Sequence, residues 1–243
     1  MMNTLGIVKG VLLTSKQRHH VARRLEGKSV LEWVVRQMTD CELLDGVVVV
    51  TDEGPNGDLI RKLSPIDVPV FSTAANDTAT AVQHTLEHYS AESCLLIGAD
   101  WPFLDPTLID KLVRAARQID QCDYAAYQYA NEIFSAGRPY GLFPEYYRSA
   151  SIRKLASKTA DAIYRQLPGT FFLDNSSKYK VELLPISGGL DKIEDVRFTF
   201  DDEEDWDNIL ELHNALELDV LDSQKVGRML SSCTNRKSGI VRT

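Results

Sequence analysis

Asp100 is the residue of this sequence most clearly placed for chemistry. It follows the apolar residues 95–98 and the small residue Ala99, and Pro102 then leads toward a helical segment. In open α/β sheets, ligands bind at the carboxyl ends of the strands. Proteins hold Mg²⁺ through one or two carboxylates together with phosphate oxygens. Asp100 is therefore predicted to bind magnesium rather than to cap a helix, since Asp105 already offers a cap.

A basic segment near the start of the chain is a second candidate for chemistry. Six Lys and Arg residues lie between Lys9 and Lys28 with the single acid Glu26, although the chain as a whole carries a net charge of −8. Local positive charge on an acidic protein suits a small polyanion such as a nucleoside triphosphate. Charge alone favours the alternative of a solvated loop. We predict that residues 15–24 form a loop that faces the Asp100 cleft and moves freely without ligand.

Apolar runs alternate with segments of helical periodicity over the first half of the chain. The pattern predicts strands over residues 5–13, 46–51, 68–71, 93–98 and 123–128, and helices over 29–41, 56–63, 77–89 and from 106 onward. Such alternation indicates an α/β fold of three layers, with a mostly parallel central sheet and helices on both faces. Residues 5–13, 47–50 and 94–97 are predicted to be its neighbouring central strands, because apolar strands need cover on both faces.

The alternation breaks after residue 129. Residues 131–147 are rich in aromatics, Gly and Pro, and are predicted to form a long loop over a ligand site. Helical segments near residues 151–165, strands near 179–184 and 196–200 and a last amphipathic helix around Trp206 follow. Residues 1–222 are expected to form one domain, and residues 223–243, with five Lys and Arg and no acids, a polar basic C-terminal tail.

Four segments resemble, in order, the motifs of one family. Residues 98–106 resemble its Asp-x-Pro motif, residues 27–35 its Gly-Lys-Pro-Leu-Leu-Glu segment, residues 139–147 its Pro-Asp-Gly-Leu-Asp-Val-Glu-Val-Phe stretch, and residues 197–206 its Arg-Leu-Thr-Val-Asp-Thr-Pro-Glu-Asp-Leu segment. The family is that of the cytidylyltransferases of the acylneuraminate and spore-coat polysaccharide biosynthesis type, within the nucleotide-diphospho-sugar transferase superfamily. The likeness spans nearly the whole chain.

The resemblance implies a Rossmann-like nucleotidyltransferase domain over residues 1–222. It implies that a nucleotide passes from CTP to a sugar with release of pyrophosphate, and that Asp100 and Asp201 hold the Mg²⁺. Asp100 and Lys16 would be catalytic. The nucleotide would contact Leu13, Ser15, Lys16, Arg18, His20 and Lys28, and the sugar would contact Asn131, Arg138 and Glu145.

The first loop departs from the family pattern. Gly10 or Val11 stands where the family has Arg, His20 stands where it has a later Lys, and the glycines that let the backbone wrap phosphates are missing after Leu13. Two hypotheses follow: a working nucleotidyltransferase in polysaccharide or glycoconjugate precursor synthesis, and a catalytically impaired relative that binds a nucleotide or a sugar. The two retained carboxylates favour the first. A glycosyltransferase would need an Asp-x-Asp pair, and none follows a predicted strand.

Composition restricts the partners. The net charge of −8 argues against broad nucleic-acid binding. No apolar run is long enough to cross a bilayer, and no secretory signal is visible, so we expect a cytoplasmic protein without a membrane partner. Four widely spaced cysteines indicate reduced thiols rather than a zinc or redox site. The base, the sugar and a possible homodimer stay open.

Overall fold

The computed structural model describes residues 2–128 and 142–186, together with Trp206, Asp207, Leu210, His213 and Asn214. The strands are β1 (Met2–Gly10), β2 (Arg24–Leu25), β3 (Lys28–Ser29), β4 (Gly46–Asp52), β5 (Val70–Thr73), β6 (Ala91–Gly98), β7 (Tyr124–Gln128), β8 (Glu145–Arg148) and β9 (Val181–Pro185). The helices are α1 (Ser15–Ala22), α2 (Val30–Thr39), α3 (Pro55–Leu63), α4 (Thr78–Tyr89), α5 (Pro106–Gln118), α6 (Ser149–Lys158), α7 (Ala162–Gln166) and α8 (Pro168–Asp174).

Seven strands form one central sheet in the order β5-β4-β1-β6-β8-β7-β9. Strands β5, β4, β1 and β6 pair in parallel, as do β7 and β9, whereas β8 runs antiparallel to both of its neighbours. The predicted α/β fold with a mostly parallel sheet is confirmed. The prediction that residues 5–13, 47–50 and 94–97 form neighbouring central strands is also confirmed, because β1 lies between β4 and β6.

Each face of the sheet carries its own hydrophobic core. On β4, Val49 packs toward the core that contains residues of α2, α3 and α5, while Val48 and Val50 pack toward residues of α4, α6 and α8. Side chains of a strand point alternately to the two faces. A strand covered on both faces therefore needs apolar residues at every position, which explains the unbroken runs in the sequence. None of the described helices is both long and apolar enough to cross a membrane.

Side-chain caps start three of the predicted helices. Ser29 accepts a hydrogen bond from the backbone N–H of Glu32 at the start of α2, and Asp77 caps α4 in the same way. Asp105 accepts from the backbone N–H of Thr107 at 2.8 Å and precedes Pro106 at the first helical position of α5. The predicted caps Ser29 and Asp105 are thus confirmed, and each satisfies an otherwise unpaired N–H of the first turn.

The predicted basic loop over residues 15–24 is wrong for its larger part, because residues 15–22 form the helix α1. Thr14 and Gln17 make a capping box: Gln17 N donates to Thr14 Oγ1 at 3.2 Å and Thr14 N donates to Gln17 Oε1 at 3.1 Å. This pair is a recognised start signal for a helix. Strand β1 also ends at Gly10, three residues earlier than predicted, since Leu12 turns the chain with φ +59°.

The long loop predicted over residues 131–147 is wrong at its end. Residues 145–148 form β8, which enters the sheet between β6 and β7. Tyr146 and Tyr147 pack into the cores on opposite faces, and this burial outweighs the loop signals of the neighbouring Gly and Pro residues. Strand β5 covers residues 70–73 rather than 68–71. The predicted strand near 196–200 lies outside the described residues.

The cap at Asp105 gives a test of this account. Asp105 is 1% exposed and also accepts from Thr107 Oγ1 at 2.7 Å. Asp105→Ala should lower the free energy of unfolding by about 1–2 kcal/mol, measured by urea denaturation. Asp58→Ala, which removes the exposed acid of an Asp58–Arg61 surface pair, is the control and should change it by less than about 1 kcal/mol. Equal effects of the two changes would contradict the capping role.

Candidate functional site

Asp100 lies at the carboxyl end of the central strand β6 and is 6% exposed. Ala99 N donates to Lys9 O at 3.2 Å, which ties this turn to the end of β1. Gly98 makes room for the turn: a Cβ there would lie 2.8 Å from Asp100 Oδ1 and 2.5 Å from Trp101 Nε1. Any side chain at position 98 would therefore push the carboxylate out of place.

The first turn of α1 reaches this carboxylate. Gln17 Nε2 donates to Asp100 Oδ2 at 3.1 Å, while the other end of the same amide closes the capping box with Thr14. The amide is neutral, and within the described ranges no Lys or Arg forms an ion pair with Asp100. The positive end of the helix dipole also faces this region. Gln17 thus positions the carboxylate through a neutral group.

The turn between β1 and α1 is held by a second carboxylate, at the end of β4. Leu12 N lies 3.1 Å from both Oδ1 and Oδ2 of Asp52, and Asn56 Nδ2 donates to Asp52 Oδ2. Leu12 occupies the left-handed region, which costs a residue with a Cβ about 1–2 kcal/mol. The hydrogen bonds from the Leu12 amide to Asp52 support this left-handed turn at a residue that is not glycine.

A network of ionisable side chains, in which Glu145 and Lys9 are partly buried, lies beside Asp100 on one face of the sheet. Glu145 of β8 accepts from Tyr124 Oη at 2.7 Å and from Tyr147 Oη at 2.9 Å. Burial raises the pKa of Glu145, and the two hydroxyls and the Lys9 ammonium oppose that shift. Burial lowers the pKa of Lys9, against the attraction of Asp100 and Glu145. A cation and two carboxylates thus share the space at the ends of β1 and β6.

The predicted nucleotide contacts are distributed over α1 and the hairpin that follows it. Ser15 and Lys16 are exposed on the first turn of α1, while Arg18 Nη1 donates to Leu13 O at 2.8 Å. His20 is 4% exposed in the last turn. Lys28 lies on the β2–β3 ribbon, with Nζ 5.1 Å from the centroid of the Trp33 ring. The structure therefore brings the start of α1, next to Leu13, close to Asp100 at the carboxyl ends of the central strands. Lys28 contacts the aromatic ring of Trp33 instead.

An open groove of about 720 Å³ runs between α1 and the start of α3. Arg18, His19 and Ala22 line one wall, and residues Pro55, Asn56 and Leu59 line the other. Its volume falls within the range of about 300–1,000 Å³ typical of small-molecule sites. Asn56 joins this groove to the Asp52 carboxylate, so the groove adjoins the turn after β1.

Three predicted site residues, Asn131, Arg138 and Asp201, lie outside the described residues, and their roles stay predictions. Within the described ranges no three His, Cys, Asp or Glu residues are grouped as a complete metal site. A Mg²⁺ ion that is bound mainly through phosphate oxygens needs one or two protein carboxylates. Asp100 alone can supply one of them. Cys41, Cys94 and Cys122 are buried free thiols, and burial raises the pKa of Cys122 to about 11, so these thiols are unreactive at neutral pH.

Sequence reasoning missed Gln17, Asp52 and Lys9. The spacing Thr-x-x-Gln over residues 14–17 could have revealed the capping box, and with it the direction of Gln17. Asp52 comes at the end of a predicted apolar strand, as Asp100 does, so the position of a carboxylate after a strand could have identified it as well. Lys9 within an apolar strand was a visible exception, since Lys is rarely buried without a partner.

Solved structures share this fold. A cytidylyltransferase from Leptospira borgpetersenii serovar Hardjo-bovis superposes with a TM-score of 0.76 at 17% identity, covering 99% of this chain and 98% of that one. CMP:2-keto-3-deoxy-manno-octonic acid synthetase complexed with CTP gives 0.65 at 10% identity, covering 89% and 100%. Rv0371c from Mycobacterium tuberculosis H37Rv, complexed with manganese, gives 0.58 at 17% identity, covering 86% and 98%. No curated protein matches the sequence.

The architecture is that of an α/β nucleotide-diphospho-sugar transferase. The family of the MobA-like NTP transferase domain matches residues 17–170, more than half of the chain, and the protein belongs to that family. The matched segment begins in α1 and contains β6, Asp100 and β8. The sequence-based assignment to the nucleotidyltransferase superfamily is thereby confirmed.

The raised pKa of Glu145 predicts a pH effect. The folded chain holds this proton more tightly than the unfolded chain, so Glu145 lowers stability as pH rises above its ordinary pKa of 4.5. Glu145→Gln removes the titration and can still hydrogen-bond both tyrosines. Relative to the wild type, the variant should gain free energy of unfolding as pH rises through and above 4.5, measured by urea denaturation. A difference that does not change with pH would contradict this prediction.

Proposed function

We propose that the protein is a magnesium-dependent cytidylyltransferase that transfers CMP from CTP to a sugar and releases pyrophosphate, in the synthesis of a polysaccharide or glycoconjugate precursor. The observation that carries the proposal is Asp100, a buried carboxylate at the end of a central strand, oriented by Gln17 and free of any ion pair among the described residues. The resemblance to acidic-sugar cytidylyltransferases and the cytidylyltransferase neighbours support CTP over other triphosphates.

The reaction requires a sugar hydroxyl to attack the α-phosphorus while the bond to the bridging oxygen of pyrophosphate breaks. Mg²⁺ held by Asp100 and Asp201 would neutralise the charge that leaves with pyrophosphate. Gln17 keeps the Asp100 carboxylate in one orientation, and Lys9 adds positive charge near it.

The substrates are assigned to the two sides of Asp100. We assign the nucleotide to the side of α1, next to the groove between α1 and α3. The residues assigned to it are Leu13, Ser15, Lys16, Arg18, His20 and Lys28. The exposed Lys16 is assigned to the triphosphate as a catalytic cation. We assign the sugar to the side of β8, where Glu145 lies and where Asn131 and Arg138 are expected to contribute. Fixing both reactants in line accounts for much of the rate of such transfers.

One observation favours the alternative of an impaired relative that only binds its ligand. The amide of Leu12, in the turn where a phosphate would be wrapped, already donates to the Asp52 carboxylate. A phosphate at that amide would have to displace a negatively charged group. Such competition would weaken the hold on the triphosphate, and misplacement of the reacting phosphate by about 1 Å costs on the order of a hundredfold in rate.

Pyrophosphate release tests the proposal. The purified chain is supplied with Mg²⁺, each nucleoside triphosphate and a panel of acidic and neutral sugars. CTP with one sugar should release pyrophosphate, and chelation of the metal should stop the release. Asp100→Asn should lower the rate by about a hundredfold or more, because an electrostatic contact to the transferring phosphoryl group is lost.

Asp105→Asn is the matched control, since it makes the same change of charge five residues away. Asn is as good an N-cap as Asp, so this variant should fold and keep its rate within a few-fold. Calorimetry with CTP and Mg²⁺ separates the two candidates. Binding without release for any sugar would establish the impaired relative, and the absence of both binding and release would overturn the proposal.

A further inference from the structure

A second cavity lies at the opposite edge of the sheet from Asp100. It has a volume of about 410 Å³ and opens where β1 and β6 begin, between the sheet and the last turn of α5. Ser93 lines it near the start of β6, whereas Gly98 ends that strand at the Asp100 edge. Five residues of strand separate them by roughly 16 Å. The cavity is therefore separate from the site described above.

Two arginines line this cavity. Arg117 of α5 donates from Nη2 to Thr4 Oγ1 at 3.1 Å and to Leu43 O at 3.0 Å. Arg148 of β8 donates from Nη1 to Gln121 Oε1 at 3.3 Å. All of these acceptors are neutral, and in the part of the chain that the structure describes neither guanidinium forms an ion pair.

Paired arginines elsewhere show the contrast. Arg36 contacts Asp67 at 2.6 Å, and Arg165 contacts Asp77 at 2.9 Å. Among the described residues, Glu92 is the one acid that lines the cavity, and it is exposed. The cavity thus has two guanidinium groups whose charge its own wall compensates only in part.

The wall between the two arginines consists of buried hydroxyl groups. Thr4, Ser93 and Tyr146 are 1%, 4% and 8% exposed. Ser93 Oγ lies 2.7 Å from Asn3 O and 3.2 Å from Thr4 Oγ1, and the Tyr146 hydroxyl is hydrogen-bonded to Ser93. Burial raises the pKa of Tyr146, so its phenol stays protonated at neutral pH. The hydroxyls are ordered by the fold and do not need a ligand to orient them.

We propose that this cavity binds a small oxyanion, a phosphate monoester or a carboxylate, held by Arg117 and Arg148. A guanidinium presents parallel N–H donors that match the spacing of two oxygens of a phosphate or carboxylate. Arg148 and Ser93 are partners across the β6–β8 ladder, so a donor charge and a hydroxyl lie on the same face of the sheet. The cavity volume of about 410 Å³ lies within the range of about 300–1,000 Å³ typical of small-molecule sites.

Calorimetric titration of the full chain tests the proposal. The probes are inorganic phosphate, glycerol 3-phosphate and citrate, each at low ionic strength and without Mg²⁺, so that no metal recruits phosphate to Asp100. At least one probe should bind saturably. Arg117→Gln and Arg148→Gln should each raise its Kd by about tenfold or more, because a hydrogen bond between charged groups is lost. The tightest probe identifies the source of the oxyanion.

Arg114→Gln is the matched control. Arg114 is exposed on the same helix one turn before Arg117 and does not line the cavity, so this variant should bind as the wild type does. Hydrogen exchange of the wild type, which needs no variant, should show protection by the ligand over residues 91–94 and 116–122. No saturable binding of any probe, equal weakening by all three variants, or protection over residues 12–18 instead would overturn the proposal.

Discussion

The pairing of β1 with β4 on one side and β6 on the other is the constraint on which the rest of the structure depends. All three strands run in parallel, so their carboxyl ends meet at one edge of the sheet. That edge receives Lys9, Asp52 and Asp100, from three segments far apart in sequence. The pairing is maintained by burial on both faces, which leaves no polar position within β4 or β6 except where the strands begin or end.

The start of α1 links the stability of the fold to the geometry of the site. Gln17 uses one end of its amide to cap the helix and the other to hold Asp100. Asp52 likewise holds the turn at Leu12, because its carboxylate accepts from the backbone N–H of Leu12. Both contacts fix the segment where the family resemblance is weakest. The hydrogen bond to Asp52 also engages the Leu12 amide, which is then not available to a phosphate.

The two edges of the sheet differ in their electrostatics. At the Asp100 edge, carboxylates and Lys9 share a partly buried space, and the pKa values of Glu145 and Lys9 are shifted in the directions that reduce their charge. At the opposite edge, Arg117 and Arg148 donate to neutral acceptors, and Glu92 is the one acid among the described residues that lines the cavity. The proposed metal and nucleotide site and the proposed oxyanion site are thus separated by a strand length of roughly 16 Å.

The sequence by itself determined the layers of the fold, the three central strands, the caps at Ser29 and Asp105, and the position of Asp100 after β6. These features depend on local periodicity and on neighbours within a few residues. Only the tertiary structure decided that residues 145–148 insert as an antiparallel strand, because their burial comes from β6 and β7, which are distant in sequence. It also decided that Gln17 contacts Asp100, 83 residues away, and that Asp52 holds Leu12. Such contacts depend on chain packing in three dimensions, which no local pattern encodes.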